Sequence, residues 1–179
     1  MKVTIVPDYD TMSTAAADRV TATLEQKPDC ALCLPTGNTP LGMFEELIRR
    51  INGGSLDASR AQFFLLDEYV GLDDDDPDSL TGWLLNAFMK PAGINPANIH
   101  ELPTKADDLT AAAAAYEAEL QRFGGYELAV LGLGGNGPGR GTRPAGGDEN
   151  RFAADRAQVR IRRRAPQPQQ PRRCTRLLA

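Results

Sequence analysis

Up to residue 137 this chain alternates short apolar runs, loops rich in Gly, Pro or acidic residues, and apolar residues at helical spacing, without an internal sequence repeat. Residues 30–34, 61–66 and 128–131 are such runs, and they show no polar alternation, the mark of strands buried on both faces. Residues 2–7, β-branched and ending in Pro7, predict a further strand at the start. The helical stretches are residues 9–25 (Met12, Ala16, Val20, Leu24) and the segment carrying Met43, Phe44, Leu47, Ile48 and Ile51. Asn52-Gly53-Gly54 ends that second helix. A third is expected from about Ser79 through Phe88, and a fourth over 107–123. Alternating strands and helices of this kind predict an α/β fold: a doubly wound, mostly parallel, Rossmann-like sheet in three layers. Such sheets bind ligands beyond the carboxyl ends of their strands, which singles out the loops 35–40, 67–72 and 132–137.

Charge divides the chain at the same place. Residues 1–137 hold 9 of the 20 basic and 21 of the 24 acidic side chains, a formal charge of −12. Residues 138–179 hold 11 Arg, no Lys and 3 acidic residues, a charge of +8, with Pro, Gly and Ala filling much of the rest. This tail has no apolar run long enough to bury, so burial cannot offset the entropy of ordering it, and disorder is expected. The domain organisation is therefore 1–137 as the folded part and 138–179 as an Arg/Pro/Gly-rich tail. No apolar stretch approaches the roughly 20 residues of a membrane span. The start lacks a signal-peptide apolar block, and three cysteines make no disulfide framework, so the expectation is a cytoplasmic protein.

Thr36-Gly37-Asn38-Thr39 lies between a strand and a helix start, where backbone N–H groups, hydroxyls and the helix dipole can hold an anion; a tight turn with an N-cap would look the same. Asp67-Glu68 directly follows a buried strand, and partial desolvation there raises a carboxyl pKa toward proton abstraction near neutrality; a cap for the next loop is the plainer alternative. The loop from Gly132 to Gly137 lets backbone approach a ligand, with Asn136 offering an amide. It contains GxGxxG, but Pro138 follows where a helix should open, which argues against a dinucleotide site. Cys30 and Cys33 fall inside a strand on opposite faces, as buried structural residues. His100 is the only His, too few for a zinc centre, and is expected at a strand or loop edge. Asp73 to Asp76 lack calcium-loop spacing and predict a solvated acidic loop.

Taken in order, Leu34-Pro35-Thr36-Gly37-Asn38-Thr39-Pro40, Leu66-Asp67-Glu68-Tyr69-Val70-Gly71-Leu72 and Leu131-Gly132-Leu133-Gly134-Gly135-Asn136-Gly137 resemble the glucosamine-6-phosphate deaminase (isomerase) family over residues 1–137. The related 6-phosphogluconolactonases typically carry a Gly-Gly-Ser loop and an Asp-Glu-Arg motif, whereas Pro35-Thr36-Gly37 and Asp67-Glu68-Tyr69 look like the deaminase branch. The resemblance implies aldose–ketose isomerisation of an amino-sugar phosphate with loss of ammonia to give fructose 6-phosphate, an isomerase and hydrolase chemistry of carbohydrate metabolism. It implies Asp67 as the base between C2 and C1 and Thr36, Gly37, Asn38 and Thr39 as phosphate ligands, with Glu68 beside them on the substrate side. Asn136 would orient the ring-opening group, and no metal or organic cofactor is implied. Intact members can be homo-oligomers.

Family members continue with His and then Phe-Asn-Glu-Pro; this chain has Pro138 in place of that His and no such segment, and the later strands with further Arg and Lys phosphate ligands are missing. The sheet is thus expected to be truncated at its C-terminal part. A GC-rich gene read in a shifted frame yields Arg, Pro, Gly and Ala without Lys, so a frameshift near codon 138 is one explanation of the tail. A basic arm is the other, although with Phe152 as its sole aromatic residue nucleic acid is not the expected partner. Low or absent activity is expected of the chain as written, with a non-catalytic sugar-phosphate-binding remnant and a 6-phosphogluconolactonase-like hydrolase as alternatives.

Overall fold

The computed structural model describes residues 3–132 and the backbone of Arg160–Arg162. Within the first stretch run α1 (Tyr9–Gln26), β1 (Ala31–Cys33), α2 (Leu41–Asn52), β2 (Gln62–Phe64), β3 (Asp67–Tyr69) and α3 (Leu80–Leu84). After them come β4 (Ile99–His100), α4 (Leu109–Arg122) and β5 (Tyr126–Ala129), and Arg160–Arg162 form β6. A π-helical turn, Leu85–Met89, prolongs α3, so the expected helix through Phe88 is present with a change of pitch.

The main sheet has the order β4-β2-β1-β5, and every pairing in it is parallel. From β1 the chain steps outward to β2 and β4 by way of α2 and α3, then returns across the sheet through α4 to place β5 on the other side of β1. Right-handed crossovers in opposite directions put helices on opposite faces. The core divides accordingly. Cys30, Leu32, Leu34, Phe63 and Leu65 pack with Ala17, Val20 and Leu24 of α1, Met43, Phe44 and Leu47 of α2, and Leu84 and Phe88. On the other face Ala31 and Phe64 pack with Tyr116 and Leu120 of α4. β1 and β2 thus supply both layers from alternate residues, which is why their runs carry no polar alternation. The run 128–131, expected to be buried likewise, is not: Leu128 and Val130 are half-buried while Ala129 and Leu131 are exposed. Phe88 stacks on Phe44 at 5.0 Å and meets Phe63 edge-on at 6.0 Å, and each such pair contributes about 0.5–1.5 kcal/mol beyond its burial.

Residues 3–7 are not a strand. Val3 and Ile5 are exposed, and the chain enters α1 at Asp8, whose side chain accepts from the Thr11 N–H at 2.8 Å. β-branched composition favours a strand only where a neighbouring edge supplies a ladder, and among the described residues none pairs with this segment. Asp67–Tyr69, read as loop, is a short strand pairing in parallel with Arg160–Arg162, so these three residues of the tail expected to be disordered have a partner. The remainder of 138–179 lies outside the described residues.

Candidate active site at the carboxyl edge of the sheet

β1 is the strand from which the chain departs in both directions, and the crevice between the loops after β1 and β5 is the topological switch point, where open α/β sheets take ligands. The loop after β1 turns at Gly37, whose φ of 98° suits glycine, and passes Pro40 into α2. Thr36 is half-buried, while Gly37, Asn38 and Thr39 are exposed. Among the described residues no hydrogen bond uses the N–H groups of Thr36 to Thr39, so they are open to a ligand or to water. The N-cap of α2 is Pro40, which offers no capping side chain. Instead the Tyr9 hydroxyl of α1 accepts from the Gly42 N–H at 2.8 Å and donates to the Thr39 carbonyl at 3.1 Å.

Asp67 opens β3 two residues beyond the buried Leu65, just past the carboxyl end of β2, the strand next to β1. Its carboxylate is close enough to the end of β1 to act on Cys33, whose thiol is pushed up to about 12, chiefly by burial and then by Asp67. Cys30 and Cys33 are both buried free thiols, and burial raises Cys30 as well. They serve the core as expected. Tyr116 of α4 lies beneath the strand end, its buried hydroxyl 2.8 Å from the Leu65 carbonyl and 2.9 Å from that of His100.

Glu68 points the other way. Only 3% exposed, its Oε1 accepts from the N–H groups of Tyr69 at 2.6 Å and Leu80 at 3.2 Å. Its Oε2 accepts from Ser79 Oγ at 2.8 Å and the Thr81 N–H at 2.7 Å. Burial works to raise its pKa, but the hydrogen bonds from Thr81, Tyr69 and Ser79 outweigh it and hold the carboxyl below the ordinary value. The upward shift expected from desolvation is therefore reversed at Glu68. A carboxylate whose two oxygens already take four donors clamps the segment 69–81, with Ser79 capping α3 through the Gly82 N–H at 2.9 Å. The acidic loop closes on this clamp: Asp73 pairs with Lys105, and the Asp78 N–H donates to Asp76 Oδ1 at 2.9 Å. Among the described residues no group of three His, Cys, Asp or Glu is placed to hold a metal ion.

His100, in β4, stacks on Phe64 at 4.0 Å and bonds Gln62 through Nε2 at 2.9 Å. Burial lowers its pKa against the pull of Glu119, and it sits half-buried at the end of the outermost strand, as expected. β5 leads to Gly132, and Asn136 lies outside the described residues. Sequence reasoning missed Tyr9 and Tyr116, whose hydroxyls hold backbone groups at this edge. Among the described residues no helix is long and apolar enough to cross a membrane.

The fold defines a doubly wound α/β protein with a parallel sheet and flanking helices. The sequence pattern of the glucosamine-6-phosphate isomerases/6-phosphogluconolactonase family matches residues 7–137, and the chain belongs to that family. Over 137 residues it is 39% identical to the glucosamine-6-phosphate deaminase of Mycolicibacterium smegmatis and 41% identical to that of an Arthrobacter species. These matches take in 76% of this chain but 52% and 53% of the relatives, so the chain spans about half the length of the curated relatives it matches. The solved structure of a monomeric glucosamine-6-phosphate deaminase superposes with a TM-score of 0.70 at 34% identity, covering 75% of this chain and 56% of that one. The 6-phosphogluconolactonase of Thermotoga maritima gives 0.60 at 26% identity, covering 72% and 58%.

Proposed function

We propose that this chain presents the sugar-phosphate half of a glucosamine-6-phosphate deaminase site and, as written, binds its ligand with little or no turnover. The observation that carries this is that the Thr36–Thr39 turn follows β1 and Asp67 follows β2, the parallel neighbour of β1, so both come off carboxyl ends of adjacent strands beside the switch point. The turn's open N–H groups, the two threonine hydroxyls and the α2 dipole suit a dianionic phosphate. Asp67 is the base that removes the C2 proton of the open-chain amino sugar and returns it at C1 through an enediol-type intermediate; the resulting C2 imine is hydrolysed to release ammonia and leave the ketose phosphate. Asn136 would orient the ring-opening group of an intact member, which this chain lacks, and Glu68 holds the loop next to the base rather than the substrate. Pro138 stands where the resemblance puts the ring-opening His, and loss of a general acid–base group costs about 10²–10⁴ in rate.

The test uses the full chain with glucosamine 6-phosphate, followed by NMR titration and by ammonia release. Saturable shifts in the amides of residues 36–43 are expected, with the Asp67→Asn variant binding similarly and lowering any residual turnover at least about 10²-fold. No saturable binding would refute the half-site, and ammonia release at an ordinary enzyme rate would refute the impairment.

A further inference from the structure

We propose that Tyr9 is a positioning residue for phosphate recognition, its hydroxyl serving as the N-cap that α2 lacks; this rests on the phosphate role given to residues 36–39. Three helices of the chain cap themselves: Asp8 caps α1, Ser79 caps α3 and Asp108 caps α4, each accepting from a first-turn N–H. α2, the helix that meets the candidate ligand, has Pro40 at that position and no side-chain cap. A self-cap would have to come from the turn itself, whose groups are the proposed phosphate ligands. Tyr9 supplies the oxygen from outside, from the first turn of α1.

Its one hydroxyl proton goes to the Thr39 carbonyl while its lone pair takes the Gly42 N–H, so a single atom ties the end of the turn to the start of the helix. The second observation is the seating beneath. Ser13, one helical turn after Tyr9, is 5% exposed, and its Oγ is the one buried side-chain polar atom among the described residues without a hydrogen-bond partner. A Cβ on Gly42 would stand 2.5 Å from that Oγ and 3.0 Å from Tyr9 Cε1. Gly42 therefore lets the start of α2 press onto Tyr9 and Ser13, and the hydroxyl holds it there. The turn is fixed before ligand arrives, which spares binding the entropy of ordering it.

The experiment is Tyr9→Phe in the full chain, with two readouts: NMR titration by inorganic phosphate and by glucosamine 6-phosphate, and amide exchange of Gly42 without ligand. Affinity for both ligands is expected to fall about 5–10-fold, roughly the worth of one hydrogen bond. Gly42 exchange is expected to rise by a similar factor, with the unfolding temperature of the ligand-free chain nearly unchanged, since Tyr9 is 45% exposed. A merely structural role would lower the unfolding temperature and leave the affinity of the folded chain alone. Equal affinities in variant and parent, or unaltered Gly42 exchange, overturn the role of Tyr9 and leave the half-site standing. A parent chain that binds neither phosphate overturns the half-site, and the role of Tyr9 with it.

Discussion

Replacing Glu68 by Gln changes no volume and removes one acceptor from a buried cluster that contains four donors. The carboxylate takes the N–H groups of Tyr69, Leu80 and Thr81 and the hydroxyl of Ser79. In Glu68→Gln the new NH₂ avoids the Tyr69 and Leu80 side, where it would face two N–H groups. Toward Ser79 the hydroxyl can turn and accept, although Ser79 Oγ already accepts from Gly82. Thr81 N–H is then left without its acceptor, at about 1–3 kcal/mol, and the surviving bonds lose their charge assistance. Together these amount to about 3 kcal/mol at neutral pH, a fall of about 10 °C in unfolding temperature for a chain of this size.

The pH dependence gives the same clamp a second signature. Because the folded-state pKa of Glu68 lies below its ordinary 4.5, its contribution is fully present above that value and is lost as pH falls through the folded-state value. Urea unfolding of parent and variant should therefore differ most near neutrality, and the gap should close as pH falls from about 7 toward 3. A difference under about 0.5 kcal/mol at neutral pH, or a gap that does not narrow on acidification, would refute the clamp.

Gly82→Ala puts a Cβ 1.9 Å from the Asp74 carbonyl oxygen, a backbone contact that no rotamer change relieves; a net loss of about 2 kcal/mol is expected in chemical denaturation despite the better helix propensity of Ala. Tyr116→Phe strips the hydroxyl from the Leu65 and His100 carbonyls and should cost about 1–2 kcal/mol in the same measurement, with faster exchange of the Leu65 amide.

The sheet was legible because its two central strands are buried on both faces: the runs around Leu32 and Phe63 admit no other use, and the loops after them fall at one edge by topology alone. β5 shows the limit. Tyr126–Ala129 begins two residues before the expected 128–131, since half-exposed Tyr126 and exposed Glu127 conceal a strand whose register is set by Ala31 and Leu32 of β1. Val3 and Ile5 failed in the opposite sense, having strand composition without an edge to pair with. At the site, Asp67 and Glu68 looked equivalent as neighbours in sequence, yet adjacent residues of a strand face opposite sides. That alternation sends Glu68 into the 69–81 segment and leaves Asp67 near the end of β1.

The two described loops at the carboxyl edge, after β1 and β2, are polar and partly exposed, so apolar burial cannot fix their shape. Each described one is instead held by a side chain from elsewhere acting on backbone groups: Tyr9 on the turn after β1, Tyr116 on the strand end before Asp67, and Glu68 on the segment from Tyr69 to Thr81. Tyr9 and Tyr116 come from helices on opposite faces of the sheet, so the edge is gripped from both layers. Such an arrangement fixes the turn after β1 while the N–H groups of Thr36 to Thr39 stay unused among the described residues; the cost is one helix donor, the Gly42 N–H, given to Tyr9. Under the function proposed above, binding a phosphoester and turning it over are therefore separable: the former would rest on the turn that α1 and α2 hold, the latter on the position after Gly137, where the sequence supplies a proline.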